Sequence, residues 1–190
     1  DCVYVDKTEL VYRLTHTDRV YFLSRPRRFG KSIFLNMLRA YYDSSQKAKF
    51  EKRFGNLWIG RNPTPLQGRY QVLFLDFSKA GVGIENLEAN FNLYCRRQLD
   101  GFMATYEDAY PERTVEEFYA STSAADKLSM IEVEAQRHGY PLYLIIDEYD
   151  NFTNVVLNEQ GNDIYHAITH ASGFYREIFK KFKGMFERIF

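Results

Sequence analysis

Apolar positions along the 190-residue chain fall into three short unbroken runs, separated by longer stretches with helical spacing. Residues 20–24, "VYFLS", 71–78, "QVLFLDFS", and the run inside "PLYLIIDEYDN" from 141 are too short for helices. Their continuous apolar character predicts strands covered on both faces. Between them, 31–43, "KSIFLNMLRAYYD", predicts a helix with Ile33, Met37, Leu38 and Tyr41 on a shared face. A second helix is predicted over about 85–106, where Leu87, Phe91, Tyr94, Cys95, Leu99 and Phe102 recur at helical spacing, and a third over 124–138, with Ser123 as N-cap and Gly139 as its stop. The prolines and glycines of "GRNPTPLQGRY" mark a loop, and residues 164–187 read as mostly helical. Strands alternating with helices predict an α/β fold: one domain over residues 1–190, with a mainly parallel sheet and helices on both sides.

Composition changes this picture little and excludes several function classes. Hydrophobic residues make up 45 % and aromatics 17 %, with 15 Tyr and 16 Phe, which predicts a packed core rich in rings. Lys plus Arg equals Asp plus Glu at 25 each, so no global field draws the molecule to nucleic acid or to an anionic membrane. Two cysteines, Cys2 and Cys95, are too few for a disulfide framework or a zinc site and point to a reducing compartment, the cytoplasm. No apolar run approaches a bilayer's thickness, and "DCVYVDK" lacks a signal-peptide layout, so no membrane partner is expected. The chain begins without Met and stops on "FERIF" inside an apolar pattern, which reads as an excerpt from a longer protein.

The chemistry concentrates at "RPRRFGKS", where the first strand turns into the first helix. Gly-Lys-Ser opening a helix after a strand suits a phosphate-binding loop of the G-x-x-x-x-G-K-[ST] type, although Arg25 stands where the first glycine belongs. The tripeptide alone arises by chance in roughly one chain in ten of this length. Its context adds weight. Gly30 permits close approach of the backbone, Lys31 suits terminal phosphates, and the Ser32 hydroxyl suits Mg²⁺. "LYLIIDE" supplies Asp147 and Glu148 at the carboxyl end of a parallel strand, the rim where ligands of open α/β sheets bind. Asp147 would complete the Mg²⁺ shell, and Glu148 would orient or deprotonate the attacking water; the blander alternative is a solvated acidic strand end.

With "YVDKTELVYRL" at 4–14, "YFLSRPRRFGKS" at 21–32, "LFLDFS" at 73–78 and "LYLIIDEYDN" at 142–151, the chain resembles the predicted AAA-type ATPases over essentially its whole length. The resemblance implies a P-loop NTPase domain of the additional-strand class, a three-layer α-β-α sandwich, acting on ATP with Mg²⁺. It implies that Arg25, Pro26, Arg27, Arg28, Phe29, Gly30, Lys31 and Ser32 form the phosphate loop and that Asp147 and Glu148 form the acidic strand. It also implies that the sequence stops before the sensor strand, leaving a gap between the phosphate-loop strand and the acidic strand, and that a nuclease-like domain follows in many relatives.

Weaker signals have plainer explanations. Tyr4 could stack on a base but more often such a tyrosine is packed. Asp76 could reach the magnesium shell or pair with Arg27 or Arg28, and a structural ion pair is the simpler expectation. His166 and His170 have metal-compatible spacing but no third ligand and no intervening Glu, so no metal site is assigned to them. "REIFKKFKGMFERIF" at 176–190 reads as core packing with a solvated basic face rather than a membrane helix. Two competing functional readings stand beside an ATPase: a nucleotide-binding switch without turnover, and a nucleic-acid-binding module that uses Arg25, Arg27 and Arg28 on phosphates.

Overall fold

The structure is a computed structural model that describes residues 5–16, 20–21, 30–79, 86–148 and 174–190. Its centre is a small parallel sheet in the order β1 (Gln71–Asp76), β2 (Leu142–Asp147), β3 (Arg188–Ile189). Gln71 lies opposite Leu142 and, five residues on, Asp76 lies opposite Asp147, so two aspartates end neighbouring strands at one rim. β3 pairs parallel with β2 through Tyr143–Arg188 and Leu144–Ile189. On the far side of β3, Val20 forms a parallel bridge with Ile189, and the Tyr21 N–H donates to the Ile189 carbonyl at 3.0 Å. Of the strand expected over 20–24, only these two residues are described.

This placement corrects one expectation. The sheet was expected to lack a strand between the segment at 20–24 and the acidic strand, yet Arg188 and Ile189 occupy that place. The outer edge of β2 explains why: Glu187 and Phe190 donate to the Leu142 and Leu144 carbonyls at 3.0 and 2.8 Å, and Ile146 donates to Phe190 at 2.8 Å. Those groups would otherwise lack partners among buried apolar side chains.

Helices cover both faces. On one side lie α1 (Glu9–Thr15), α2 (Lys31–Tyr42), α3 (Phe50–Phe54) and α4 (Trp58–Arg61), whose buried Val11, Leu35, Leu38, Tyr42, Phe54 and Ile59 pack with Val72, Tyr143 and Ile145 of the sheet. On the other lie α5 (Leu87–Tyr106), α6 (Glu112–Ala120), α7 (Ala124–His138) and α8 (Phe174–Met185), packed on Leu73, Leu75, Leu142 and Leu144. Strand residues thus alternate between two cores, which is why the runs read as continuously apolar. Much of the aromatic content lies here, including the edge-to-face pairs Tyr41–Tyr42 and Tyr42–Tyr143, both at 5.1 Å.

Local signals set most boundaries. Ser123 Oγ accepts the Asp126 N–H at 3.2 Å to start α7, and Gly139, at φ +69°, ends it in the left-handed conformation that glycine tolerates best. α8 buries Ile178 and Phe182 while Lys180 and Lys183 face solvent, as expected for a packed helix with a basic face. The face of α2 differs from the expected one. Leu38 and Tyr41 are buried as expected, with Leu35 and Tyr42 beside them, whereas Ile33 is 67 % exposed, because a residue two positions before Leu35 points about 200° away around the helix.

β1 is the sheet's edge among the described residues, and α5 shields it. The Tyr106 hydroxyl accepts the Val72 N–H at 2.9 Å, and the Tyr94 hydroxyl accepts the Asp76 N–H at 2.7 Å and donates to the Asp76 carbonyl at 2.8 Å. Capping those groups with phenols removes hydrogen-bonding positions that a stray strand would use.

Candidate functional site

The carboxyl ends of β1 and β2 meet the start of α2. Gly30 makes this junction possible: its φ of +77° turns the chain into α2, and its carbonyl accepts the Phe34 N–H at 3.0 Å. A Cβ at Gly30 would meet nothing within 4 Å among the described residues, and the backbone angle there favours glycine. The helix therefore begins at the rim, where its first amides have no intrahelical acceptor.

Four side chains converge there. Lys31 Nζ lies 3.2 Å from Asp147 Oδ1 and 3.1 Å from Glu148 Oε1, and Ser32 Oγ donates to Asp147 Oδ2 at 2.7 Å. Residues that are 115 positions apart in sequence thus share one cluster. Burial pulls the Lys31 ammonium downward, but its hydrogen bonds to Glu148 and Asp147 outweigh that cost and hold its pKa above the ordinary lysine value. Asp147 is 5 % exposed, and Lys31, Ser32 and the Glu148 N–H at 3.0 Å all contact its oxygens. A buried carboxylate needs such partners to stay in place.

Asp76 stands beside this cluster at the same rim. Its Oδ1 accepts from the Ser78 N–H at 3.1 Å and the Ser78 hydroxyl at 2.6 Å, while Tyr94 holds its backbone. A groove of about 460 Å³ runs along the edge of β1 and is lined in part by Ser32, Asn36, Arg39, Asp76, Gln98 and Asp147. Sequence reasoning treated Tyr94 only as one position of an apolar stripe. Its second role, fixing the end of β1, depends on α5 overhanging the sheet edge and has no local sequence signal.

Among the described residues, no three His, Cys, Asp or Glu side chains gather into a cage for a metal ion. A magnesium ion carried by phosphates asks less: one or two protein oxygens, with water and phosphate supplying the rest. The Ser32 hydroxyl and the Asp147 carboxylate, adjacent hard oxygen donors, fit that requirement. Arg25, Pro26, Arg27, Arg28 and Phe29 of the expected phosphate loop lie outside the described residues, as do Tyr4, His166 and His170. No described helix is long and apolar enough to cross a membrane.

Comparison with known proteins adds a family. A model of the family described as "Predicted AAA-ATPase" matches residues 1–190. A protein of Azotobacter chroococcum mcd 1, described as an uncharacterized protein in the vnfD 5' region, is 58 % identical over 38 residues, which is 20 % of this chain and 7 % of that protein. No solved structure matches.

Proposed function

The chain belongs to the predicted AAA-ATPase family across residues 1–190, and from that premise we propose that it binds Mg·ATP and hydrolyses it where α2 meets the rim of β2. The observation that carries this reading is the convergence of Lys31, Ser32, Asp147 and Glu148 within hydrogen-bonding reach of one another. The P-loop NTPase sandwich is part of the same reading. Helices on both faces of a parallel sheet, with β3 between Val20 and β2, support it.

Phosphoryl transfer asks a protein mainly for positioning and charge neutralisation. In this reading Gly30 lets the loop backbone approach the phosphates, with Arg25, Pro26, Arg27, Arg28 and Phe29 completing the loop. Lys31 bonds the terminal phosphate oxygens, and Ser32 and Asp147 hold Mg²⁺. Glu148 orients the attacking water and accepts its proton. Magnesium, when bound, supplies further neutralisation of phosphate charge. A cytoplasmic location, and a nuclease-like or nucleic-acid partner in the whole protein, belong to the same proposal.

Calorimetric titration of Mg·ATP into the full-length protein, paired with phosphate release, tests the reading. Wild type should bind and release phosphate, Glu148→Gln should bind without turnover, and Lys31→Ala should weaken binding at least about tenfold. Binding by wild type without phosphate release would leave a nucleotide-dependent switch in place of an enzyme. Undetectable binding would overturn both.

A further inference from the structure

Glu148 adopts the left-handed backbone region at φ +52°, the one described non-glycine residue with a positive φ. That conformation is sterically unfavourable for a residue that bears a side chain. Two contacts hold it there: its N–H donates to Asp147 Oδ1 at 3.0 Å, and its carboxylate reaches Lys31 at 3.1 Å. The bend thus turns Glu148 back over the start of α2. Lys31 is shared between two carboxylates, and the two are not equivalent. The Asp147 side chain is 7 % exposed and is also tied to Ser32, whereas that of Glu148 is 41 % exposed. When another anion takes the ammonium, Glu148 is the partner that can leave.

We propose that Glu148 is a latch on Lys31: phosphate oxygens that take the ammonium displace Glu148, which then leaves the left-handed conformation and becomes available to the reacting water. This rests on the ATP reading and adds a regulatory step to the same site. While Glu148 is bonded to Lys31, its carboxylate is engaged by that ammonium and is not placed on the reacting water. Loading the site and arming the base become one event, and water is not activated before phosphate arrives.

The test uses Mg·ADP, so that affinity is read without turnover, on the full chain. Glu148→Asp keeps the charge but withdraws the carboxylate by one methylene, out of reach of Lys31. The latch predicts that Glu148→Asp and Glu148→Gln both bind Mg·ADP tighter than wild type, by roughly two- to fivefold, the range expected of a half-exposed ion pair. Tightening by Glu148→Gln alone would show that only charge repulsion is relieved and would overturn the latch, as would tightening by neither. Unchanged thermal melting in both variants excludes a folding artefact, as Glu148's exposure leads one to expect. Wild type that binds Mg·ADP and loses it on Lys31→Ala, without any tightening in the two variants, sinks the latch and leaves the ATP reading standing. Wild type that binds no Mg·ADP sinks both.

Discussion

Raising the pH should unfold this protein in one step, because its cores are built on phenols. Tyr42, Tyr70, Tyr94, Tyr106, Tyr110 and Tyr143 are all at most 8 % exposed, and burial pushes each hydroxyl above its ordinary pKa, Tyr42 and Tyr70 to about 12. In the unfolded chain the same groups ionise near pH 10. Above that pH the unfolded state binds fewer protons than the folded one, so stability falls as pH rises; it is fully present below about 10 and is lost on the way to the folded values. Each phenol takes away about 1 kcal/mol between pH 10 and 11, so the six together remove about 6 kcal/mol, a large share of the roughly 5–15 kcal/mol that holds a domain folded. The assay follows phenolate absorbance and helical circular dichroism together through alkaline titration. Exposed tyrosines should ionise first, and the remaining phenolate signal should rise only as the helical signal collapses, at about pH 11. Full ionisation of the tyrosines with helix retained would refute the argument.

Two further outcomes test single joints of the fold. Tyr106→Phe removes the acceptor for the Val72 N–H and the donor to Asp43 Oδ1 at 2.9 Å, and Asp43 is 1 % exposed; denaturant unfolding should show a loss of about 1–3 kcal/mol, and no loss would mean water replaces the phenol. Gly139→Ala places a Cβ where no atom of the described residues lies within 4 Å, so its cost of about 1 kcal/mol comes from the backbone and should appear as a modestly lower melting temperature; an unchanged melting temperature would contradict the left-handed stop.

What the sequence disclosed follows from how local each signal is. Ser123 and Gly139 bound α7 because a cap and a left-handed stop act within a few residues. The strands at 71–76 and 142–147 were legible because burial on both faces leaves them no polar alternation. Lys31 and Asp147 could be paired from a distance, since a parallel sheet brings strand ends and helix starts to one rim. Ile33 was misassigned because several apolar residues in one helix define more than one stripe, and only the packed sheet decides between them. The sequence reads as stopping where the strand at Arg188 and Ile189 begins, and that these two residues already pair is not anticipated because two residues carry no periodicity; their strand exists through hydrogen bonds to β2 and to Tyr21. Neither the phenol caps of Tyr94 and Tyr106 nor the bend at Glu148 could be anticipated, since each depends on contacts made only after the layers assemble.

Arg188 ties β3 to the helical layer. From β3 its guanidinium donates to the Leu14 and Thr15 carbonyls, both at 3.0 Å, at the closing turn of α1, while neighbouring Glu187 accepts from the Tyr70 hydroxyl at 2.8 Å. One dipeptide therefore ties the first helix, β3 and the residue that leads into β1 to one another. A displacement of that helix must therefore break these hydrogen bonds or carry β3 with it, so the helix and the sheet are coupled at this corner.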